Sequence, residues 1–193
     1  MGSQDCLRNP VDILREAIEA GITVFQYREK GIGSLAKDEK IALGLELRNL
    51  CRKHHIPFII NDDVDLVEIL EVDGIHVGQD DMNVENIREK FGDILIGLSV
   101  SNKDELASSP LHLVDYVGAG PVFRTSSKAD AKNPVGVAWI KHLRNKHPNL
   151  PIVGIGGINE KNANEVMEAG ADGVAVISAI AKSDDIVRTV QQL

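Results

Sequence analysis

Aromatic residues and cysteines are scarce in this chain, and long apolar runs are absent. The 193 residues include four Phe, two Tyr, one Trp and two Cys, and the formal net charge is -8. A nucleic-acid-binding surface needs basic and stacking side chains, so we expect no nucleic-acid partner. Two cysteines in a chain of this size do not indicate a disulfide framework. No apolar run approaches the roughly 18 residues of a membrane span, so we expect no membrane partner and a soluble, cytoplasmic protein.

Short β-branched runs alternate along the chain with longer amphipathic patterns. The length of 193 residues and the hydrophobic content of 43% suit one globular domain, which we expect to cover residues 1–193. The predicted strands are residues 22–28, 58–61, 74–78, 95–99, 116–122, 152–156 and 173–178. The predicted helices include residues 11–20, 36–54, 84–91, 139–146, 161–169 and 186–192. Apolar strands joined by helices indicate a parallel sheet covered by those helices.

The number of strands favours a closed barrel over an open doubly wound sheet. Seven strand patterns are accompanied by eight helical patterns, and the chain opens with a loop and a helix instead of a strand. We therefore expect an α/β fold of the (β/α)8 TIM-barrel type whose first β-strand is absent from this sequence. Because such a barrel would have open edges, we expect an irregular N-terminal segment.

The stretch "FQYREK", residues 25–30, places polar side chains at alternate positions. In a strand, Gln26, Arg28 and Lys30 would point the same way. Cations gathered on one side of an acidic protein indicate a negatively charged ligand, and Lys128 in a later loop could join them. The alternative is that Arg28 and Lys30 form ordinary surface salt bridges with nearby aspartates, worth about 0–1 kcal/mol each.

Carboxylates follow two neighbouring strands of the predicted sheet. "NDD" at residues 61–63 follows one strand, and "GQDD" at residues 78–81 follows the next. Hard oxygen ligands of this kind suit Mg²⁺, and we expect Asp62 and Asp81 to bind it. The competing interpretation is that these aspartates cap the helices that follow, and we expect that role for Asp63 and Asp80.

Glycine-rich turns near the end of the chain suggest a second anion site. Gly156 and Gly157 in "GIGG" would let the backbone approach an anion, and the amides near Ile177 and Ser178 could donate to a phosphate. His76 lies inside a predicted strand, where a buried, hydrogen-bonded histidine is expected. No Ser-His-Asp or Cys-His arrangement emerges from the sequence, so nucleophilic catalysis is not indicated.

Six segments in order resemble one enzyme family. They read "QYREK", "FIINDDVDL", "DGIHVGQDD", "DYVGAGPVF", "IVGIGGIN" and "AGADGVAVISAI". Together they resemble thiamine phosphate synthase across essentially the whole chain. The resemblance implies a (β/α)8 barrel and an alkyl transferase with Mg²⁺ as its cofactor. Its small-molecule substrates would be hydroxymethylpyrimidine pyrophosphate and hydroxyethylthiazole phosphate, which it would join with release of pyrophosphate.

The resemblance also implies a role for each matching residue. Arg28, Lys30, Lys128 and Ser99 would be the catalytic residues. The residues that would hold the pyrimidine substrate with its pyrophosphate are Gln26, Arg28, Lys30, Asn61, Ser99 and Lys128. Magnesium would be bound by Asp62 and Asp81. The residues that would hold the thiazole phosphate are Thr125, Ser126, Ser127, Gly157, Ile177 and Ser178. The substitution would be dissociative and would need no general base.

The chain departs from the family pattern in three places. First, the family carries a strand before the position of Met1. Second, this chain has Ser101 where the family has a histidine. Third, in the loop after the sixth barrel strand, this chain has Arg124 and Ser127 where the family has Pro and Thr. The missing histidine favours the synthase over the related thiazole tautomerases.

Other functions and the assembly stay open at this level. One alternative is a phosphate-binding isomerase or epimerase, which should carry a pair of basic catalysts, Asp or His, in place of the "QYREK" cations. Another is a non-catalytic barrel that binds thiamine precursors. A homo-oligomer is compatible with the sequence, which does not determine the oligomeric state.

Overall fold

The computed structural model describes residues 1–127 and 132–193, and the chain divides into two compact units. The first unit contains Met1–Ile75 together with Ile177–Gln192. The second contains His76–Val176 and the terminal Leu193.

The described residues form seven strands, and each overlaps a predicted one. They are β1 Phe25–Tyr27, β2 Phe58–Asn61, β3 Gly74–Val77, β4 Leu95–Val100, β5 Tyr116–Ala119, β6 Ile152–Ile155 and β7 Gly173–Ala175. In the first unit β1 pairs in parallel with β2, with Phe25 opposite Phe58. In the second unit β4, β5, β6 and β7 pair in parallel in that order. The α/β class with parallel strands is thus confirmed.

Nine α-helices lie between and beside these strands in the described chain. They are α1 Pro10–Ala20, α2 Lys37–Lys53, α3 Leu66–Ile69, α4 Val84–Phe91, α5 Lys103–Ser108, α6 Val137–Lys146, α7 Ala163–Glu168, α8 Ser178–Ala181 and α9 Ile186–Gln191. Asn9 caps α1 by accepting a hydrogen bond from the Val11 amide at 2.8 Å, and Gly21 ends this helix in the left-handed conformation. Within residues 1–127 and 132–193, none of the helices combines the length and the apolar character that crossing a bilayer requires.

The core of the first unit packs α2 against β1 and β2. Tyr27, Leu47 and Phe58 are buried there. A side chain at Gly44 would bring its Cβ to 2.8 Å from Leu70 and 3.1 Å from Tyr27. Gly44 therefore lets α2 approach β1 more closely than any larger residue would allow.

The core of the second unit forms beneath β4, β5 and β6. Ile96, Val117 and Ile152 are fully buried. The buried Trp139 of α6 donates its indole Nε1–H to the Val100 carbonyl at 2.9 Å, which fixes α6 to the end of β4. Such a bond is expected for a buried indole, because an unpaired N–H would cost free energy.

The N-terminal segment runs beside β1 without forming a strand. The Met1 nitrogen donates to the Gln26 carbonyl at 2.8 Å, and the Arg28 amide donates to the Met1 carbonyl at 3.1 Å. One turn of 3₁₀ helix, Ser3–Asp5, follows. The prediction of an irregular N-terminal segment is confirmed.

Candidate active site

The strand β1 ends earlier than predicted, and this changes the orientation of the residues that follow it. Because β1 stops at Tyr27, the three residues 28–30 do not continue its alternation. Arg28 and Glu29 are both buried, at 6% and 4% exposure, whereas Lys30 is exposed. The prediction that Gln26, Arg28 and Lys30 share one strand face is therefore wrong beyond Tyr27.

The buried carboxylate of Glu29 fixes the chain after β1. It accepts hydrogen bonds from the Ser3 amide at 2.7 Å, the Ser3 hydroxyl at 2.6 Å and the Leu35 amide at 2.9 Å. Hydrogen bonds to an ionised carboxylate are charge-assisted and therefore strong. Glu29 thereby holds the positions of its two cationic neighbours, Arg28 and Lys30.

Arg28 is a buried cation that has no carboxylate partner among the described residues. Among the described residues, none forms a salt bridge with it, and its Nε has no hydrogen-bond partner. Its guanidinium makes one long hydrogen bond, from Nη1 to the Lys30 carbonyl at 3.4 Å. Buried charges are normally paired or hydrogen-bonded because desolvation is costly. As far as the described residues show, this guanidinium is therefore available to an anionic ligand.

Asn61, the last residue of β2, is in a similar state in the same unit. It is 5% exposed, and within the described chain neither Oδ1 nor Nδ2 has a hydrogen-bond partner. An unsatisfied buried polar group costs about 1–3 kcal/mol. The amide of Asn61 is therefore available to a ligand that can both accept and donate a hydrogen bond.

Asp62 follows β2 in a left-handed backbone conformation, with φ of 61°. The Asp63 amide donates to the Asn61 carbonyl at 2.7 Å, which closes a tight turn around Asp62. Residues other than glycine are uncommon in this region, and such positions concentrate at functional sites. The Asp62 carboxylate lies 2.7 Å from the Lys30 ammonium.

These groups line a cavity of about 270 Å³ in the first unit. Its lining residues are Glu29, Lys30, Lys40, Asn61, Asp62 and Asp63. Lys40 of α2 lies 2.6 Å from the Asp63 carboxylate, and its backbone carbonyl accepts from the Tyr27 hydroxyl at 2.9 Å. The capping role predicted for Asp63 is wrong, because its side chain pairs with Lys40 and the residue that precedes α3 is Asp65.

The second predicted magnesium ligand, Asp81, lies in the second unit. Its carboxylate accepts from the Gly78 amide at 2.7 Å. Asn83, and not Asp80 as predicted, caps α4. No three His, Cys, Asp or Glu side chains of residues 1–127 and 132–193 form a metal-binding cluster. The predicted site needs only Asp62 and Asp81 from the protein, and their role stays a prediction.

Ser99 of β4 lies within a hydrogen-bonded group of three side chains in the second unit. His76 Nε2 is 2.8 Å from the Ser99 hydroxyl, and His76 Nδ1 is 2.9 Å from the Tyr116 hydroxyl. The imidazole is buried. The prediction that His76 is a buried, hydrogen-bonded histidine is confirmed.

Three predicted phosphate contacts precede the undescribed residues 128–131. Thr125 and Ser127 are half-buried, Ser126 is exposed, and the Ser127 amide donates to the Thr125 hydroxyl at 3.2 Å. Lys128, the predicted catalytic cation, lies outside the described residues.

The other predicted phosphate contacts are split between the units. Gly157 in the second unit has φ of 69°, and a Cβ there would come within 2.5 Å of the Arg124 carbonyl oxygen. Close packing of the protein's own backbone therefore suffices to explain this glycine. In the first unit Ile177 directly precedes α8 and Ser178 begins it.

Three residues of these sites were not predicted. Glu29 stands in "QYREK", but its role depends on hydrogen bonds to Ser3 and Leu35, which the local sequence does not encode. Lys40 lies in an amphipathic helix pattern, where a lysine does not by itself indicate a functional site. The partner of His76, Tyr116, lies 40 residues away in sequence, so only the pairing of strands could reveal it.

Comparison with known proteins identifies relatives along the full length of the chain. The family model described as thiamine monophosphate synthase matches residues 1–180. The thiamine-phosphate synthase of Oceanobacillus iheyensis is 56% identical over 193 residues, which is 100% of this chain and 94% of that protein. The thiamine-phosphate synthase of Anoxybacillus flavithermus is 49% identical over 100% of this chain and 89% of its own length.

Solved structures agree with these relatives. The thiamine phosphate pyrophosphorylase from Pyrococcus furiosus is 33% identical with a TM-score of 0.84, and the match covers 96% of this chain and 88% of that one. Phosphoribosyl anthranilate isomerase from Thermotoga maritima, with a TM-score of 0.70, 11% identity and coverage of 97% of this chain and 93% of that one, shares the fold alone. The resemblance found in the sequence is confirmed, and the chain belongs to the thiamine monophosphate synthase family of enzymes.

Proposed function

We propose that this protein joins hydroxymethylpyrimidine pyrophosphate to hydroxyethylthiazole phosphate, giving thiamine phosphate and pyrophosphate. The observation that carries this proposal is Arg28, a buried guanidinium without a carboxylate partner among the described residues. The pyrophosphate of the pyrimidine substrate would supply the missing anion. Each charge-assisted hydrogen bond formed in this way contributes about 1.5–3 kcal/mol.

The cavity lined by Lys30 and Asn61 suits the rest of that substrate. Asn61 contributes an amide that is unsatisfied among the described residues, and Lys30 contributes a cation. A phosphate oxygen or a pyrimidine nitrogen could accept from Asn61 Nδ2, and the exocyclic amino group could donate to Oδ1. Gln26 and Ser99 complete the proposed set of contacts to the pyrimidine substrate.

Asp62 and Asp81 are the proposed ligands of Mg²⁺. Their carboxylate oxygens are the hard ligands that this ion prefers, and the left-handed backbone at Asp62 is typical of a functional position. When bound, the ion would neutralise negative charge on the pyrophosphate. The Lys30 ammonium lies 2.7 Å from the Asp62 carboxylate. With Asp62 bound to the ion, this ammonium would contact a phosphate oxygen instead.

The proposed reaction is a dissociative substitution. The bond between the pyrimidine methylene carbon and the pyrophosphate oxygen breaks, and the electron pair leaves with the pyrophosphate. Arg28, Lys30 and Lys128 stabilise the charge that develops on this leaving group. The thiazole nitrogen then forms the new carbon–nitrogen bond with its lone pair, so no side chain has to remove a proton.

The remaining assignments are part of the same proposal. The thiazole phosphate would be held by Thr125, Ser126, Ser127, Gly157, Ile177 and Ser178. We propose that residues 1–193 act as one catalytic domain with the (β/α)8 barrel architecture. The parallel pairing of the described strands and the likeness to the Pyrococcus furiosus enzyme support this architecture. A cytoplasmic location is proposed with it.

The test is to incubate the protein with both substrates and Mg²⁺ and to separate the products by chromatography with mass detection. We expect thiamine phosphate and pyrophosphate in equal amounts, and no thiamine phosphate when either substrate is omitted. Equal consumption of the pyrimidine substrate with and without the thiazole would indicate a hydrolase. The absence of thiamine phosphate under all conditions would refute the proposed function.

A further inference from the structure

The second unit contains a chain of three hydrogen-bonded side chains that ends at a proposed substrate contact. Tyr116 Oη lies 2.9 Å from His76 Nδ1, and His76 Nε2 lies 2.8 Å from Ser99 Oγ. His76 is 4% exposed, and its ring lies 5.5 Å from that of Tyr116, tilted by 35°. Each ring nitrogen of His76 therefore faces a hydroxyl group.

Two glycines leave room for the imidazole. A Cβ at Gly97 would lie 2.5 Å from His76 Nδ1 and 2.4 Å from the Tyr116 hydroxyl. A Cβ at Gly118 would lie 2.9 Å from His76 Cε1. Any side chain at these positions of β4 and β5 would push the ring aside. The glycines therefore let the ring lie where its two nitrogens contact Tyr116 and Ser99.

The direction of the hydrogen bonds decides what Ser99 can do. A neutral imidazole has one N–H donor and one acceptor nitrogen. If Tyr116 donates to Nδ1, then Nε2–H donates to Ser99, and the serine hydroxyl keeps its own hydrogen for another acceptor. If the tautomer is reversed, Ser99 donates to Nε2 and can only accept from a ligand.

The relative acidity of the hydroxyls favours the first arrangement. A phenol, with a pKa near 10, is a stronger donor than an aliphatic hydroxyl, while the serine oxygen is the better acceptor. The imidazole nitrogen is a strong acceptor for the phenol. The Ser99 carbonyl accepts from Gln79 Nε2 at 2.8 Å, which further fixes the serine backbone.

We propose that Tyr116 and His76 are positioning residues that hold Ser99 as a hydrogen-bond donor to the pyrimidine substrate. Tyr116 sets the Nε2–H tautomer of His76, and His76 then occupies a lone pair of Ser99. The acceptor on the substrate would be a pyrimidine ring nitrogen or a pyrophosphate oxygen. The inference rests on the proposed function, by which Ser99 contacts that substrate.

The tautomer is measured directly by two-dimensional ¹H–¹⁵N NMR of the protein labelled with ¹⁵N-histidine. The His76 signals are those that disappear in His76→Gln, and we expect them to show a proton on Nε2. As a matched control, Tyr27→Phe removes the only other tyrosine hydroxyl and should leave this pattern unchanged. A proton on Nδ1 in the unaltered protein overturns the inference, whatever reaction the enzyme performs.

Steady-state kinetics test the consequence for Ser99. Tyr116→Phe should raise KM for the pyrimidine substrate about 2- to 10-fold, which corresponds to one net hydrogen bond, without changing KM for the thiazole phosphate. In a Ser99→Ala background the same substitution should have no further effect, because Tyr116 acts through Ser99. Equal effects in both backgrounds would show that Tyr116 is merely structural and would overturn the inference. A protein without synthase activity but with the Nε2–H tautomer would refute the proposed function and leave the tautomer assignment standing.

Discussion

Replacement of Arg28 by Met should weaken pyrophosphate binding while leaving the protein at least as stable. The guanidinium is buried, and the described part of the chain offers it no carboxylate within salt-bridge distance. In the free protein it therefore carries a desolvation penalty that no ion pair within the described residues offsets. Met fills a similar volume with a flexible apolar side chain, so the substitution removes the charge without leaving a large cavity.

Arg28→Met should weaken pyrophosphate binding, whereas it should leave the stability of the protein equal or higher. Loss of one charge-assisted hydrogen bond to pyrophosphate costs about 1.5–3 kcal/mol, which raises Kd roughly 10- to 150-fold. Each kcal/mol gained by removing the buried charge would raise Tm by about 2–4 °C in a protein of this size. We therefore expect a higher Kd together with an equal or higher Tm.

Isothermal titration calorimetry with pyrophosphate at fixed Mg²⁺ gives Kd, and scanning calorimetry gives Tm. Arg15→Met is the matched control, because Arg15 is an exposed arginine of α1 paired with Asp12 at 2.6 Å. This control should change stability by less than about 0.5 kcal/mol and leave Kd unchanged. An unaltered Kd in Arg28→Met, or a Tm that falls by as much as after a core truncation, would refute the reasoning.

Four further predictions concern other residues. Glu29→Gln replaces one carboxylate oxygen by an NH₂ group, which must face either the Ser3 amide or the Leu35 amide. It should lower Tm by about 2–4 °C per kcal/mol lost, and an unchanged Tm in scanning calorimetry would contradict the role of the carboxylate. Lys128→Ala should lower kcat about 10²- to 10³-fold, and an unaltered kcat would remove it from the catalytic set. Trp139→Phe loses the bond to the Val100 carbonyl and should cost about 0.5–1.5 kcal/mol of stability without changing Kd for pyrophosphate in the same titration. Burial raises the pKa of Cys6 to about 11 and that of Cys51 to about 12, so both thiols stay protonated at pH 8. Both should therefore react with a thiol reagent far more slowly in the folded than in the denatured protein, and equal rates would contradict this.

The strands were predictable because local sequence dominates their formation. All seven β-branched runs form strands, and the long amphipathic patterns form helices close to their predicted bounds. The errors lie at the ends of elements. β1 was predicted over residues 22–28 but covers Phe25–Tyr27, since Glu29 turns away to bind Ser3 and Leu35. No local pattern encodes that long-range contact.

The candidate site was predictable in composition but not in detail. Arg28, Lys30, Asn61 and Asp62 were identified from residue type and from their positions at strand ends, and they lie together in the first unit. The pairing of Lys40 with Asp63 could not be predicted, because it joins a helix to a turn 23 residues away in sequence.

We propose that the residues following β1 and β2 bind the pyrophosphate of the pyrimidine substrate. The decisive experiment is a crystal structure of the protein with pyrophosphate and Mg²⁺. We expect pyrophosphate oxygens within hydrogen-bond distance of the Arg28 guanidinium and the Lys30 ammonium, with Asn61 as a further contact. Pyrophosphate bound elsewhere, with the Arg28 guanidinium still contacting no anion, would contradict it.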